Sequence, residues 1–313
     1  MEIRSLPIGQ GLAWFKQAID LGGHNPRGVF GAALLVLVVV YAAVLAMVLP
    51  MVATLSGTGG GATAAGDAMG AVLPFVLVLV VAMSMLMPFL LGGLMHVIRE
   101  TEAGRKPGAL ALFQPFRSGR AGALVAIGLV SMAIQMLGGA MVMASGGREY
   151  MEAYAEMMRG LMAGADPTTL AQPEASLLMF VLQLLVNYVG YAVLLFSVPS
   201  VLFLGATVGE SIGASLKASV RNIGANVLAG VLLVVAMVIA ALLFGLLLML
   251  VALVASAIHP VVGAVASVVF GLLFGSALLV VVIGAAYLAW RDTFGGGTAA
   301  AAPPRATQAG FEA

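Results

Sequence analysis

The chain has 313 residues, of which 62% are hydrophobic and 9% charged; its mean hydropathy is +1.13 and its net charge +1. Soluble domains are about 45–50% apolar and about 25% charged, so this composition excludes a soluble enzyme, a nucleic-acid-binding protein and a disordered chain. The absence of cysteine excludes a disulfide framework, a thiolate nucleophile and a cysteine-ligated metal site. The composition therefore predicts an all-α polytopic membrane protein.

Six stretches are apolar over the roughly 20 residues that a helix needs to cross a bilayer. In chain order they are Gly28–Leu49, Ala71–Val97, Ala121–Met143, Ser176–Thr207, Val227–Ser256 and Val261–Trp290. None of these ranges contains Asp, Glu, Lys or Arg. Because charged residues inside a membrane usually mark ion or proton pathways, the sequence argues against a carboxylate-based proton relay or Na⁺ site.

The basic residues predict the orientation of the spans. Arg148 and Arg159 lie on one side, and the other twelve of the 14 Lys and Arg residues lie on the opposite side. Basic loops stay in the cytoplasm, so we expect both termini to be cytoplasmic and the membrane to be a bacterial inner membrane. The domain organisation is then a cytoplasmic leader (1–27), a transmembrane domain (28–290) and a disordered cytoplasmic tail (291–313).

Short amphipathic segments precede the first, third and fifth spans. Apolar residues at helical spacing form their stripes, namely Ile8, Leu12, Phe15 and Ile19, then Leu110, Phe113 and Phe116, then Ile212, Leu216, Val220 and Ile223. Aligning Asn25 with Asn226 also matches Lys16 to Lys217. The predicted fold is thus a bundle of six spans in three hairpins, each hairpin preceded by a cytoplasmic amphipathic helix.

Basic residues border these segments and suggest contact with lipid headgroups. They are Lys16, Arg105, Lys106, Arg117, Arg120, Lys217 and Arg221. An amphipathic helix with basic residues at its polar edge lies in the headgroup layer, where anionic lipids attract each charge by about 1 kcal/mol. The alternative is that the helices only cap the bundle, with lipid contact as a consequence.

Two motifs resemble a known family. The leader contains Gly11, Trp14, Ala18 and Asn25-Pro26, and the following loop contains 102–107 (EAGRKP), Leu112-Phe113 and Phe116-Arg117. From Pro7 to Trp290 the chain resembles an uncharacterised family of six-span proteobacterial inner-membrane proteins. That family is similar in layout to the membrane domain attached to some glycerophosphoryl diester phosphodiesterases. The resemblance implies a fold and a location, and it implies no activity.

A few polar side chains lie inside the predicted spans. They are Gln135, Gln183, Asn187, Tyr188 and Tyr191, of which Gln183 and Asn187 share a helix face. One interpretation is a substrate cavity; the favoured one is hydrogen bonding between spans three and four, at about 0.6 kcal/mol per bond.

Two further patterns concern packing and the outer surface. Small residues at intervals of four on the sixth span, Gly263, Ser267, Gly271 and Gly275, predict close helix packing within the chain rather than a dimer. An amphipathic periplasmic helix is expected near 148–163, either as a lid over an outward cavity or as a helix on the bilayer surface.

No constellation of catalytic groups is visible, since the chain has three His and no Cys. The 19 methionines include a cluster at Met83, Met85 and Met87, which makes Cu(I) binding a minor alternative to ordinary flexible packing. We therefore expect no cofactor, no metal site and no nucleic-acid partner. The expected function is a non-enzymatic scaffold or accessory component that contacts lipids or other inner-membrane proteins. A transporter for a neutral or lipid-like solute is the second hypothesis.

Overall fold

The computed structural model describes residues 1–57, 65–166, 168–174 and 176–295. These residues form nine α-helices and no strand. The helices are α1 (Gln10–His24), α2 (Pro26–Gly57), α3 (Ala65–Glu102), α4 (Ala121–Val142), α5 (Arg148–Met162), α6 (Leu177–Leu204), α7 (Val208–Arg221), α8 (Ile223–Ile258) and α9 (Pro260–Phe294). A 3₁₀ helix, Ala109–Arg117, precedes α4, and a π-helical turn, Met143–Gly147, joins α4 to α5.

Six of these helices, α2, α3, α4, α6, α8 and α9, are long and apolar enough to cross a membrane. The chain is therefore an integral multi-pass membrane protein, and the predicted all-α bundle of six spans in three hairpins is confirmed. The sixth span, α9, continues to Phe294, so the tail predicted from residue 291 does not begin at that residue. Residues 296–313, most of the predicted tail, and most of the linker at 57–61 lie outside the described residues.

The three hairpins are arranged with pseudo-threefold symmetry. The second spans, α3, α6 and α9, all contact one another and form an inner triangle. Each first span packs outside its own partner, as α2 on α3, α4 on α6 and α8 on α9. Buried apolar side chains are concentrated in the half of the bundle next to α1, the 3₁₀ helix and α7, which we call the basic end. Apolar residues of the opposite half are mostly exposed, as expected where lipid is the solvent.

The residue just before each first span ties its hairpin to the next one. Asn25 Nδ2 donates to Pro107 O at 2.9 Å, Arg120 Nη1 to Gly205 O at 3.2 Å, and Asn222 Nδ2 to Arg4 O at 3.0 Å. Each acceptor lies in the segment that leads into the short amphipathic helix of the following hairpin, and the third bond returns to the first hairpin. These three joint residues close a ring at the basic end.

The ring also corrects the register of the internal repeat. The structural partner of Asn25 is Asn222, which occupies the single residue between α7 and α8, and not Asn226. In this register the buried positions of the two amphipathic helices correspond: Trp14 with Ser211, and Ala18 with Ser215. The alignment on Asn226 was wrong because it rested on residue type, whereas the repeat is defined by which helix face is buried.

A polar network connects α1, α3 and α9 at the basic end. Asp292 accepts from Trp14 Nε1 at 2.9 Å and from Gln10 Nε2 at 2.8 Å. Arg291 pairs with Asp292 and with Glu102, and Glu102 also accepts from Tyr287 Oη at 2.8 Å. The charged side chains of this network are thus paired with one another, because a partly desolvated charge without a partner is costly.

The predicted helix after the third span is present as α5. Gly146 adopts a φ of 107° and breaks the helical path between α4 and α5. Among the described residues α5 packs on this turn and makes few other contacts. Its apolar residues Met151, Tyr154 and Met158 are exposed, which fits a surface helix better than a closed lid.

Candidate functional site: cavities on either side of α6

The predicted polar cluster is split by the structure. Gln183 Nε2 donates to Asn187 Oδ1 at 3.1 Å within α6. Gln135 of α4 instead lies over Gly190, where a Cβ would be 2.7 Å from its Nε2. The expected amide bond between spans three and four is therefore wrong, because residues four apart on one helix satisfied each other locally. Tyr191 lines one cavity together with Gln135, and Tyr188 and Tyr191 both line a second cavity.

A first cavity of about 400 Å³ lies between α3, α4 and α6. Its lining combines four methionines with a few polar groups, namely Met83, Met87, Met132, Met136, Ser84, Ser131, Gln135 and Tyr191. Ser131 Oγ is buried and has no hydrogen-bond partner among the described residues. The thioethers come as two i,i+4 pairs on facing helices, and flexible thioethers suit an irregular apolar space.

A second cavity of about 360 Å³ lies between α6, α8 and α9, next to the basic end. Its walls are apolar, and no charged side chain lines it. The polar groups are concentrated where α7 approaches: Tyr188 Oη donates to Ser219 O at 2.9 Å and accepts from Asn226 Nδ2 at 3.5 Å. Trp14 and Tyr191 complete this part of the lining. We call this space the seam cavity.

The seam cavity occupies the one inter-hairpin interface that is not closed. By the pseudo-threefold arrangement each first span should pack on the second span of the preceding hairpin. The structure shows this packing for α2 on α9 and for α4 on α3, but not to a comparable extent for α8 on α6 in the described residues. The cavity therefore opens laterally, between α6 and α8, toward the bilayer.

One position shows the difference between the three interfaces. The eighth residue after each joint residue is small: Ala33, Gly128 and Gly230. Ala33 is fully buried, and a Cβ on Gly128 would be 2.1 Å from Ser84 O, so both interfaces are tightly closed there. A Cβ on Gly230 would meet no described atom within 4 Å. The third interface is open at the point where the other two are closest.

Small residues from three helices create the open space. They are Ala192, Ala229, Gly230, Ala285, Ala286 and Ala289. Larger side chains at such positions would fill the volume and draw α8 onto α6, because interiors otherwise pack without voids larger than a water molecule.

The residues predicted to contact headgroups are all exposed. They are Lys16, Arg105, Lys106, Arg117, Arg120, Lys217 and Arg221. Two of them already have protein partners. Arg105 pairs with Glu100, which raises the pKa of the guanidinium, and Arg120 is a joint residue. Lys16, Lys217 and Arg221 remain at the surface of α1 and α7.

The apolar stripes of α1 and α7 face outward. Leu12, Ile19 and Val220 are 41%, 56% and 73% exposed. The face of α1 that packs on the bundle combines the buried Trp14 and Leu21 with small residues. At one of these, Gly11, a Cβ would be 2.4 Å from Ala225 O of α8. Helices with an exposed apolar stripe beside basic residues are suited to the headgroup layer.

The small-residue pattern on α9 serves packing within the chain where its contacts are described. A Cβ on Gly271 would lie 3.9 Å from Phe244 of α8, and one on Gly275 would lie 3.1 Å from Leu37 of α2. Gly263 is buried, and Ser267 Oγ donates to Gly263 O within the helix.

The described residues contain no group of three or more His, Asp or Glu arranged to hold a metal ion. Asn222, Asn226 and Gly230 were missed by the sequence analysis as site residues. The first two look like ordinary helix-end asparagines, and an open space beside a glycine has no sequence signal. Only the repeat register, once corrected, directs attention to Gly230.

Comparisons with known proteins give no match to a family model, a curated protein or a solved structure. The resemblance to a six-span inner-membrane family therefore stays a prediction.

Proposed function

We propose that this integral membrane protein is a non-enzymatic accessory component of a bacterial inner membrane that engages lipids through its basic end. The observation that carries the proposal is the outward-facing apolar stripe on both α1 and α7, beside Lys16, Lys217 and Arg221. Burying those stripes in the headgroup layer removes apolar area from water, and the adjacent cations attract anionic lipid. In the scaffold role, other envelope proteins would bind to this same end.

The proposal requires the basic end to face the cytoplasm. A reporter fused after Phe294 should behave as cytoplasmic, and one inserted at 57–61 as periplasmic, because twelve of the 14 basic residues lie on one side. A periplasmic signal after Phe294 and a cytoplasmic signal at 57–61 would show the reverse orientation. The basic end could then not contact the headgroups of the cytoplasmic leaflet, and the proposal would fail.

Lipid selectivity provides the direct test. We expect Lys217→Glu/Arg221→Glu to lower the ratio of phosphatidylglycerol to phosphatidylethanolamine that co-purifies in polymer-extracted native nanodiscs. Two reversed charges remove an attraction of about 1 kcal/mol each. The matched control is Arg148→Glu/Arg159→Glu, which makes the same charge change on α5 and should leave the ratio unaltered. An equal effect of the two double variants would reduce α7 to a structural cap.

The lateral opening of the seam cavity favours a second function, transport of a neutral or lipid-like solute. Transport requires passage between leaflets, whereas an accessory protein needs only to bind. Purified protein in liposomes with a fluorescent phospholipid distinguishes the two. Acceleration of its movement between leaflets would favour transport, and an unchanged rate would favour the accessory role.

A further inference from the structure

We propose that the seam cavity binds one acyl chain of a glycerophospholipid, with the ester carbonyl of that chain held by the Asn226 carboxamide. The inference rests on the proposed lipid engagement and names a specific site for it. The lipid would enter laterally between α6 and α8 and keep its phosphate in the headgroup layer. It would complete the interface that the protein itself leaves open.

The symmetry of the bundle is the first argument. Two inter-hairpin interfaces contain direct helix contact, as α2 on α9 and as α4 on α3, although the first cavity lies beside the second of them. At the third interface α8 and α6 make no comparable contact among the described residues, and the seam cavity lies between them. Gly230 is as small as its counterpart Gly128, so side-chain size at this position does not hold α8 away from α6. The space is bounded on three sides by apolar residues of α6, α8 and α9, many of them small on α8 and α9, and opens on the fourth side to lipid. An acyl chain matches both its apolar walls and its open side.

The polar end of the cavity is the second argument. Asn226 is only partly exposed, and its carboxamide makes a single, long hydrogen bond among the described residues, 3.5 Å to Tyr188 Oη. An amide has two N–H donors and a carbonyl acceptor. Leaving them without partners in an apolar environment is costly. An ester carbonyl at the head of the chain would accept the free N–H.

The absence of charge selects the ester rather than the phosphate as the group held there. The polar residues that line the cavity are Trp14, Tyr188, Tyr191, Ser219 and Asn226, and no Asp, Glu, Lys, Arg or His of the described residues lies among them. Lys217 and Arg221 are two residues to either side of Ser219 and thus lie near the opposite face of α7. A phosphate would have no cation inside the cavity, whereas a neutral acceptor needs none.

Two leucine substitutions on the same helix provide the decisive test. At Gly230 and at Gly245 a Cβ meets no described atom within 4 Å, but only Gly230 lines the seam cavity. Native mass spectrometry after stringent delipidation should find one phospholipid retained by the wild type. The matched control Gly245→Leu should retain it as well. In Gly230→Leu retention should be about tenfold weaker, because the side chain occupies the space.

Equal retention by the two leucine variants, or recovery of a prenyl quinone in place of a phospholipid, would overturn the assignment. Gel filtration identifies any variant that fails to fold, and Asn226→Leu then supplies an independent measurement. Wild-type protein should prefer a diacyl phospholipid over its diether analogue, which lacks the ester carbonyl, by about threefold to tenfold. Asn226→Leu should bind both alike; a preference that survives this change would refute the role of Asn226.

The outcomes separate this site from the general lipid engagement proposed above. Lys217→Glu/Arg221→Glu should alter the anionic lipid selectivity and leave the single retained phospholipid in place. Gly230→Leu should do the reverse. Failure of the cavity test with normal headgroup selectivity would reject the seam site alone.

Discussion

Two asparagines and an arginine, Asn25, Asn222 and Arg120, make equivalent hydrogen bonds around the basic end. Each donates a side-chain N–H to a backbone carbonyl. The three repeats can therefore make the same bond with a different donor residue and a different residue at the acceptor position. No motif search would align an arginine with two asparagines. The equivalence becomes visible only when the helix boundaries fix the position of each residue directly before a first span.

Asn222 is the joint residue with the largest expected effect on stability. It is buried and bonds both ends of its carboxamide to the leader, donating to Arg4 O and accepting from Leu6 N at 3.0 Å. We expect Asn222→Ala to lower the free energy of unfolding by about 1–3 kcal/mol, since it removes two bonds and leaves a backbone donor unpaired. Asn187→Ala should cost only about 0.2–0.5 kcal/mol, because its bond lies within one helix.

Intrinsic tryptophan fluorescence during heating in a mild detergent measures both variants. The chain has two tryptophans, and Trp14 and Trp290 are both fully buried, so unfolding at the basic end changes their emission directly. Equal midpoints for the two variants would mean that the leader is not held by Asn222.

At the scale of the helix, hydrophobic spacing predicted the amphipathic segments but only half of their structure. The stripes of α1 and α7 were visible because large apolar residues recur at helical intervals. Apart from Trp14 and Leu21 of α1, the faces that contact the bundle are made of small residues such as Gly11, Ala18, Ser211 and Ser215. Such residues carry no hydrophobic signal, yet they allow backbones to approach closely in membranes. The middle segment departed further, since Pro115 and its short length gave a 3₁₀ helix.

The beginning of α7 is set by a capping box, which makes it sensitive to acid. Thr207 Oγ1 and Thr207 N donate to Glu210 at 2.8 Å and 3.1 Å, and these bonds lower the pKa of Glu210. Because the pKa is lower in the folded helix, the stabilisation is complete above the ordinary glutamate value of about 4.3 and is lost as the pH falls through the lowered value.

We therefore expect amide-exchange protection in the first turn of α7 to be constant from about pH 8 to pH 5 and to fall as the pH is lowered further, through the reduced pKa of Glu210. Protection factors, which are normalised for the intrinsic pH dependence of exchange, are the measurement. Glu210→Gln is the control, because glutamine serves in a capping box without ionising and should abolish the acid transition. A transition of the same size in Glu210→Gln would assign it to another group.

For the whole molecule, hydropathy predicted the number and order of the spans, since about 20 apolar residues suffice to identify each one. It contained no information on which spans form the inner triangle, because all six are similarly apolar along their length. Inner and outer helices differ in where small residues lie, as Gly128 against α3 shows. The cavities followed from that three-dimensional arrangement and were not predictable from Gln135, Gln183 and Asn187.

The closed and open interfaces can be compared by cross-linking, because a chain without cysteine contains only the thiols that are introduced. Leu37→Cys/Gly275→Cys lies across the closed α2–α9 interface, where Leu37 Cδ1 is 3.1 Å from the place of a Cβ on Gly275. Ala192→Cys/Gly230→Cys lies across the seam cavity, where no described atom is within 4 Å of a Cβ on Gly230. A disulfide needs Cβ atoms about 3.5–4.5 Å apart.

In native membranes treated with a mild oxidant, we expect the α2–α9 pair to form a disulfide readily. The α6–α8 pair should remain reduced and should be joined only by a longer bis-maleimide, since the two helices stand apart there. The chain is then cleaved between the two positions and run on a denaturing gel. The fraction that still migrates at full length is the fraction that is cross-linked. Equal rates of disulfide formation at both pairs would mean that the third interface closes in the membrane, which would complete the pseudo-threefold bundle and leave no space for a lipid chain.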